Sequence, residues 1–326
     1  MTGQSQRAAK GLPVSLILVV SMTAAGVVYP VTDAALPHTS PIMIATLRAL
    51  GGGVLLTAVL PLMGSRLPRT RRLWLWALAI GIGNTTLTQV GISVGTDRAG
   101  AAVASVLLNS SPFFVALMAR VVLAEPITRL RAAGLVIGFG GVLLVVFADP
   151  GSIAHGSRLI LGFVLALLGA LGWAAGGLGM RVLTQRDPDL DIAGITAAQF
   201  LAGGLPLIPL VLVAGGSTDW ARPTLLAQLG YLVIGGQVLV YLGFNAALSR
   251  WPATRVYAWT FLVPAVAVLV DAAQGKLPGP GATIGIVVVI LGVVIVNLPR
   301  AESQDTNPAT TQPEFDEEPP RTTSHV

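Results

Sequence analysis

Residues 73–94 read LWLWALAIGIGNTTLTQVGISV, and residues 225–248 read LLAQLGYLVIGGQVLVYLGFNAAL. Each run has the length a helix needs to cross hydrocarbon, about 20 predominantly apolar residues. Each also holds amides or hydroxyls near its middle. A shift of 152 residues lays one on the other: Gly83 falls on Gly235, Thr85 on Gln237, Gln89 on Tyr241 and Gly91 on Gly243. The register continues with Arg98 on Arg250, Ala101 on Ala253, Pro112 on Pro264 and Leu117 on Leu269. With a one-residue gap on each side it takes in Gly52 with Gly203, Gly53 with Gly204, Gly134 with Gly285 and Gly141 with Gly292. Such a register predicts two copies of one unit, a common build for membrane carriers.

Ten apolar runs are legible, near Leu12 to Val31, Pro41 to Leu62, Leu73 to Val94, Ala99 to Leu123, Leu130 to Phe147, Leu159 to Val182, Ile192 to Val213, Leu225 to Leu248, Ala253 to Asp271 and Ala282 to Asn297. The expected fold is an all-α integral membrane protein of ten transmembrane helices, arranged as two inverted five-helix repeats. An odd number of spans per unit forces the second copy to enter the membrane from the opposite side. The expected division is a cytoplasmic N-terminus (1–11), a first five-helix repeat (12–148), an external connector (149–158), a second repeat (159–299) and a disordered acidic cytoplasmic tail (300–326).

Composition agrees with this and excludes much else. The chain is 53% hydrophobic and 11% charged, against roughly a quarter charged for a soluble domain. It has no Cys, which removes disulfide scaffolds, zinc ribbons, iron–sulfur sites and thiol nucleophiles. Neither metal nor cofactor is expected. The basic balance belongs to short loops rather than to one surface stripe, so no nucleic-acid partner is expected. With the N-terminus cytoplasmic, fifteen Lys and Arg fall inside and four outside (Arg98, Arg158, Arg222 and Lys276), with Arg48 left within a span. The positive-inside rule then places both termini in the cytoplasm of a plasma-membrane protein. The first run also has the basic flank and small residues of a secretory signal, but it stays apolar beyond Gly26 and is expected to be retained.

The fourth run, Ala101-Ala102-Val103-Ala104-Ser105-Val106-Leu107-Leu108-Asn109-Ser110-Ser111-Pro112-Phe113-Phe114, continues to Ala124-Glu125-Pro126-Ile127-Thr128. With the ten runs it resembles the EamA-type transporters of the drug/metabolite transporter superfamily, over about Leu12 to Pro299. Pro112 and Glu125 match the family pattern and Arg48 a family tendency. Ala124 and Pro126 depart from the usual Gly and basic residue, and Trp173 fills the place of a Trp absent from the first run. The resemblance implies transport, more specifically export, without specifying a substrate.

Ionisable groups in hydrocarbon are costly, so they face cavities or mark function. Arg48 is the one charge deep within a run. It suits a carboxylate or phosphate held by the guanidinium, or else helix-end carbonyls or the interface; its repeat counterpart is Gln199. A second set comprises Asn84, Thr85 and Gln89 on the third run and Gln237, Tyr241 and Asn245 on the eighth, two stripes suited either to a cavity wall or to interhelical hydrogen bonds. Pro112 and Pro264 are expected to kink the fourth and ninth runs, with Asn109, Ser110, Ser111 and Thr260 nearby to satisfy freed carbonyls or touch solute. Tyr257 and Trp259 offer stacking or simple packing surface. Asp271, followed by Glu125, is the candidate for proton coupling.

These residues predict a secondary transporter for a small organic solute, with amino acids or related metabolites the first class. The partners are the bilayer, the solute and, as a candidate, a second copy of the chain. Multidrug export is the alternative. An integral-membrane enzyme is a remote one, since no HExxH or Walker A motif occurs.

Overall fold

A computed structural model describes residues 13–124, 127–147, 157–273 and 279–298. Among the described residues all regular structure is helical. Seven segments are long and apolar enough to cross a membrane: α1 (Val14–His38), α2 (Pro41–Met63), α3 (Arg71–Ala99), most of α4 (Ala104–Val122), α6 (Leu159–Arg186), α7 (Ile192–Ala214) and α8 (Pro223–Leu248). Three further helices pack with them: α5 (Arg129–Phe147), α9 (Ala253–Tyr257, Ala258–Phe261 and Leu262–Ala273 in succession) and α10 (Pro280–Asn297). The expected N-terminal segment 1–11, most of the connector 149–158, Glu125 and the tail 300–326 lie outside the described residues. One boundary is corrected. Ala99 ends α3 rather than opening α4, because Gly100 turns the chain at φ +88°, a conformation other residues adopt only with strain.

Lateral contacts follow the 152-residue shift. α1 packs on α8 and α9, whereas α6 packs on α3 and α4. α2 packs on α8 as α7 packs on α3, while α2 meets α7 and α5 meets α10. Every one of these pairings has a counterpart in which the first five helices and the last five exchange roles. Local geometry obeys the same register: π-helical turns occupy Ile82–Leu87 in α3 and Ile234–Leu239 in α8, six residues each and 152 apart. A third, Leu47–Gly51, lies in α2.

The closest crossings are made by glycine. A Cβ on Gly81 would lie 2.4 Å from the backbone oxygen of Gln199, and one on Gly292 would lie 2.4 Å from the Cα of Gly138. Small residues let membrane helices approach to backbone contact, where dispersion replaces the hydrophobic driving force that lipid does not supply. The outer faces bear Val213, Leu62 and Val121, at 89%, 87% and 78% exposure. Water would penalise that surface and lipid does not.

α4 comes in two pieces, Ala101–Leu108 and Ser111–Val122, broken just before Pro112. Proline has no N–H for the carbonyl four residues back. The break is polar: Asn109 Nδ2 donates to the Ser105 carbonyl (2.7 Å) and Ser110 Oγ to that of Leu107 (2.6 Å). α9 tightens to a 3₁₀ turn at Ala258–Phe261 before Pro264, and Thr260 Oγ1 donates to the Tyr257 carbonyl (2.8 Å).

Candidate functional site

Helices α1, α2, α3, α4, α6, α8 and α9 surround a cavity of about 70 Å³. Most of its wall is apolar, with Met22, Ile92, Leu108, Val240 and Val263, and three aromatic residues join them: Tyr29, Trp173 and Tyr241. The polar side chains are Arg48, Thr88, Asn109, Ser111 and Thr260.

Arg48 is 1% exposed and is the only charged side chain buried among the described residues. It rides on the π-helical turn of α2, a local widening that recurs at functional sites. Its Nη2 donates to the carbonyl of Gly236 (3.2 Å), in the π-helical turn of α8. Nε and Nη1 have no hydrogen-bond partner. Among the described residues the one ion pair joins the sequence neighbours Asp97 and Arg98, so Arg48 has no carboxylate opposite it. A buried charge without a counter-ion costs several kcal/mol. One guanidinium nitrogen thus serves a carbonyl within α8, and two have no partner in a residue that borders the cavity.

The polar stripes of α3 and α8 are found mostly behind the wall rather than in it. Gln89 Nε2 donates to Gln237 Oε1 and to Tyr241 Oη (3.2 Å), and Tyr241 Oη donates to the Asn84 carbonyl. Asn245 Nδ2 donates to Thr196 Oγ1 on α7 (3.0 Å). Of this set only Tyr241 lines the cavity, and α3 presents Thr88 and Ile92 there instead. Asn84 Oδ1 and Thr85 Oγ1 are buried without partners, as are both amide atoms of Gln199.

Asn109 and Ser111 line the cavity at the α4 break, while Pro112 and Pro264 are not part of its wall. Tyr257 is buried beneath the wall, where its hydroxyl donates to the Trp173 carbonyl. Trp173 also stacks edge-on against Tyr241, with ring centres 4.9 Å apart, so Tyr257 supports an aromatic floor without forming its surface. Trp259 points elsewhere: its Nε1 donates to Asn297 Oδ1 (3.3 Å), which also accepts from Arg255 Nε (2.8 Å), tying α9 to α10. The side chain of Asp271 lies outside the described residues. Sequence reasoning missed Met22, Tyr29 and Gly236. Tyr29 was legible as one of only four tyrosines in the chain, but Gly236 contributes a carbonyl and has no side-chain signal.

Comparison with known proteins decides the lineage. The model of the EamA-like transporter family matches residues 12–147 and again residues 160–298. The chain belongs to the EamA-like transporter family. The two EamA matches coincide with the two halves marked by the 152-residue register. The chain is similar to an uncharacterized transporter from Synechocystis sp., at 29% identity over 70% of this chain and 72% of the relative. It is also similar to Protein PecM of Dickeya dadantii, at 27% over 83% and 88%. A third relative is a probable amino-acid metabolite efflux pump of Salmonella typhimurium, at 26% over 74% and 80%. A solved crystal structure shares the fold, with a TM-score of 0.73 at 16% identity, covering 87% of this chain and 96% of that one. EamA membership makes this a multi-pass membrane protein of transporter type rather than an enzyme lineage.

Proposed function

We propose that the chain is a secondary transporter that exports a small carboxylate-bearing metabolite of amino-acid size across the plasma membrane by alternating access. The observation that carries this is Arg48, a buried cation with two unpartnered nitrogens beside a cavity between the two halves. In this reading α5, α9 and α10 also span the membrane, the second half is inverted relative to the first, and both termini are cytoplasmic. The breaks in α4 and α9 act as hinges as one half rocks against the other. The name of the Salmonella relative supports the direction and a small metabolite as the solute.

The test compares intracellular and exported metabolites with and without the gene, then measures counterflow of the leading candidate in proteoliposomes. A metabolite that accumulates inside cells lacking the gene and exchanges through the purified protein is the expected result; unchanged pools together with absent counterflow overturn the proposal. Reporter fusions after Arg72 and Arg131 should be cytoplasmic and one after Ser152 external. Multidrug export is favoured by the apolar wall and aromatic floor; it requires competition by unrelated lipophilic cations.

A further inference from the structure

We propose that the cavity selects organic monoanions that carry no ammonium group, namely a carboxylate on an apolar or aromatic body, and discriminates against amino acids and organic cations. This rests on the transporter reading above and narrows its substrate.

An amino acid presents a carboxylate and an ammonium a few ångströms apart, and a site that prefers it must supply an acceptor beside its cation. Among the described residues the wall around Arg48 has no carboxylate. Its neutral acceptors are the Gly236 carbonyl, which already accepts from Arg48, and the side-chain oxygens of Thr88, Asn109, Ser111 and Thr260. Three further amides, Gln89, Gln237 and Asn245, lie behind the wall, bonded to one another or to α7. An ammonium here would have only neutral oxygens to set against the like charge of a guanidinium in a largely apolar wall, where repulsion is weakly screened.

An anion meets the opposite conditions. Nε and Nη1 hold unused N–H groups just beneath the surface, and a carboxylate that settled against either edge of the guanidinium would share Nη2 with the Gly236 carbonyl. The charge of Arg48 is then neutralised by the solute rather than by the protein. Met22, Ile92 and Val263 with the rings of Tyr29 and Trp173 provide the surface for an apolar body.

Four ligands on one skeleton test this: 3-phenylpropionate (anion), 3-phenylpropanamide (neutral), phenylalanine (zwitterion) and phenethylamine (cation). Binding to the full-length protein in nanodiscs at pH 7.5 is read from tryptophan fluorescence, with Trp173→Phe as the control that localises the signal. The anion should bind about tenfold more tightly than the amide and on the order of a hundredfold more tightly than the amine, with phenylalanine weaker than the amide. Arg48→Gln should erase the preference of anion over amide, and Arg48→Lys should keep part of it. The ligand series on the unaltered protein stands even where a variant fails to fold. Phenylalanine binding as tightly as 3-phenylpropionate, or no binding of the anion at millimolar concentration, overturns the inference. Counterflow separates the two proposals: phenylalanine exchange with tight phenylalanine binding sinks this inference and leaves the transporter reading standing, whereas absence of exchange for every solute in a cell extract sinks the transporter reading.

Discussion

Arg48 on α2 and Gln199 on α7 hold corresponding positions in the two repeats, both almost wholly buried, yet their surroundings differ. Arg48 borders the cavity and donates to the carbonyl of Gly236. Gln199 lies against the glycine face of α3, its backbone oxygen 2.4 Å from where a Cβ on Gly81 would stand, and its amide has no partner. The helix each one faces accounts for much of this. The counterpart of Gly236 under the 152-residue shift is Asn84, whose carbonyl is already taken by the Tyr241 hydroxyl. Tyr241 in turn corresponds to Gln89, its own hydrogen-bond partner. The repeat supplies a frame with exchangeable contacts, and the candidate site arises where corresponding residues differ in chemistry.

That asymmetry can be broken by substitution. Arg48→Gln should lower counterflow by on the order of a hundredfold, the loss of one buried charge-assisted contact; Gln199→Leu should change it by less than about threefold, because an unpartnered buried amide is replaced by an apolar group. Equal losses from both would show that the halves share the work. Gly81→Ala tests the crowding on the Gln199 side and should cost about 1–3 kcal/mol, measured as a lower thermal midpoint in detergent. Gly140→Ala, where an added Cβ meets nothing within 4 Å, is the control and should leave that midpoint in place. Gln89→Leu should cost about 1 kcal/mol by removing the link between α3 and α8 while keeping the Arg48-dependent preference for anions. Loss of that preference would mean that the network positions the ligand directly.

Much of the frame was legible in the chain itself. Glycine spacing and the Pro112 and Pro264 pair marked the repeat, and in the structure the same register relates helix contacts, π-helical turns and the breaks in α4 and α9. Of the residues first singled out as able to touch solute, Arg48, Asn109, Ser111, Tyr241 and Thr260 reach the cavity wall. Gln89, Gln237 and Asn245 do not, because spacing of four along a helix says which side chains share a face and not what that face meets.

Sequence alone determined the helical membrane class and the twofold repeat, because both follow from periodic placement of apolar and small residues along one dimension. It also singled out Arg48, since a charge inside an apolar run is conspicuous without coordinates. Only the tertiary structure decided what Arg48 faces. Its bond to Gly236 joins residues 188 positions apart, and the unused nitrogens are a property of packing that no local pattern encodes. The same packing turned the amide stripes inward upon each other, leaving a cavity lined by one cation and by apolar and aromatic side chains.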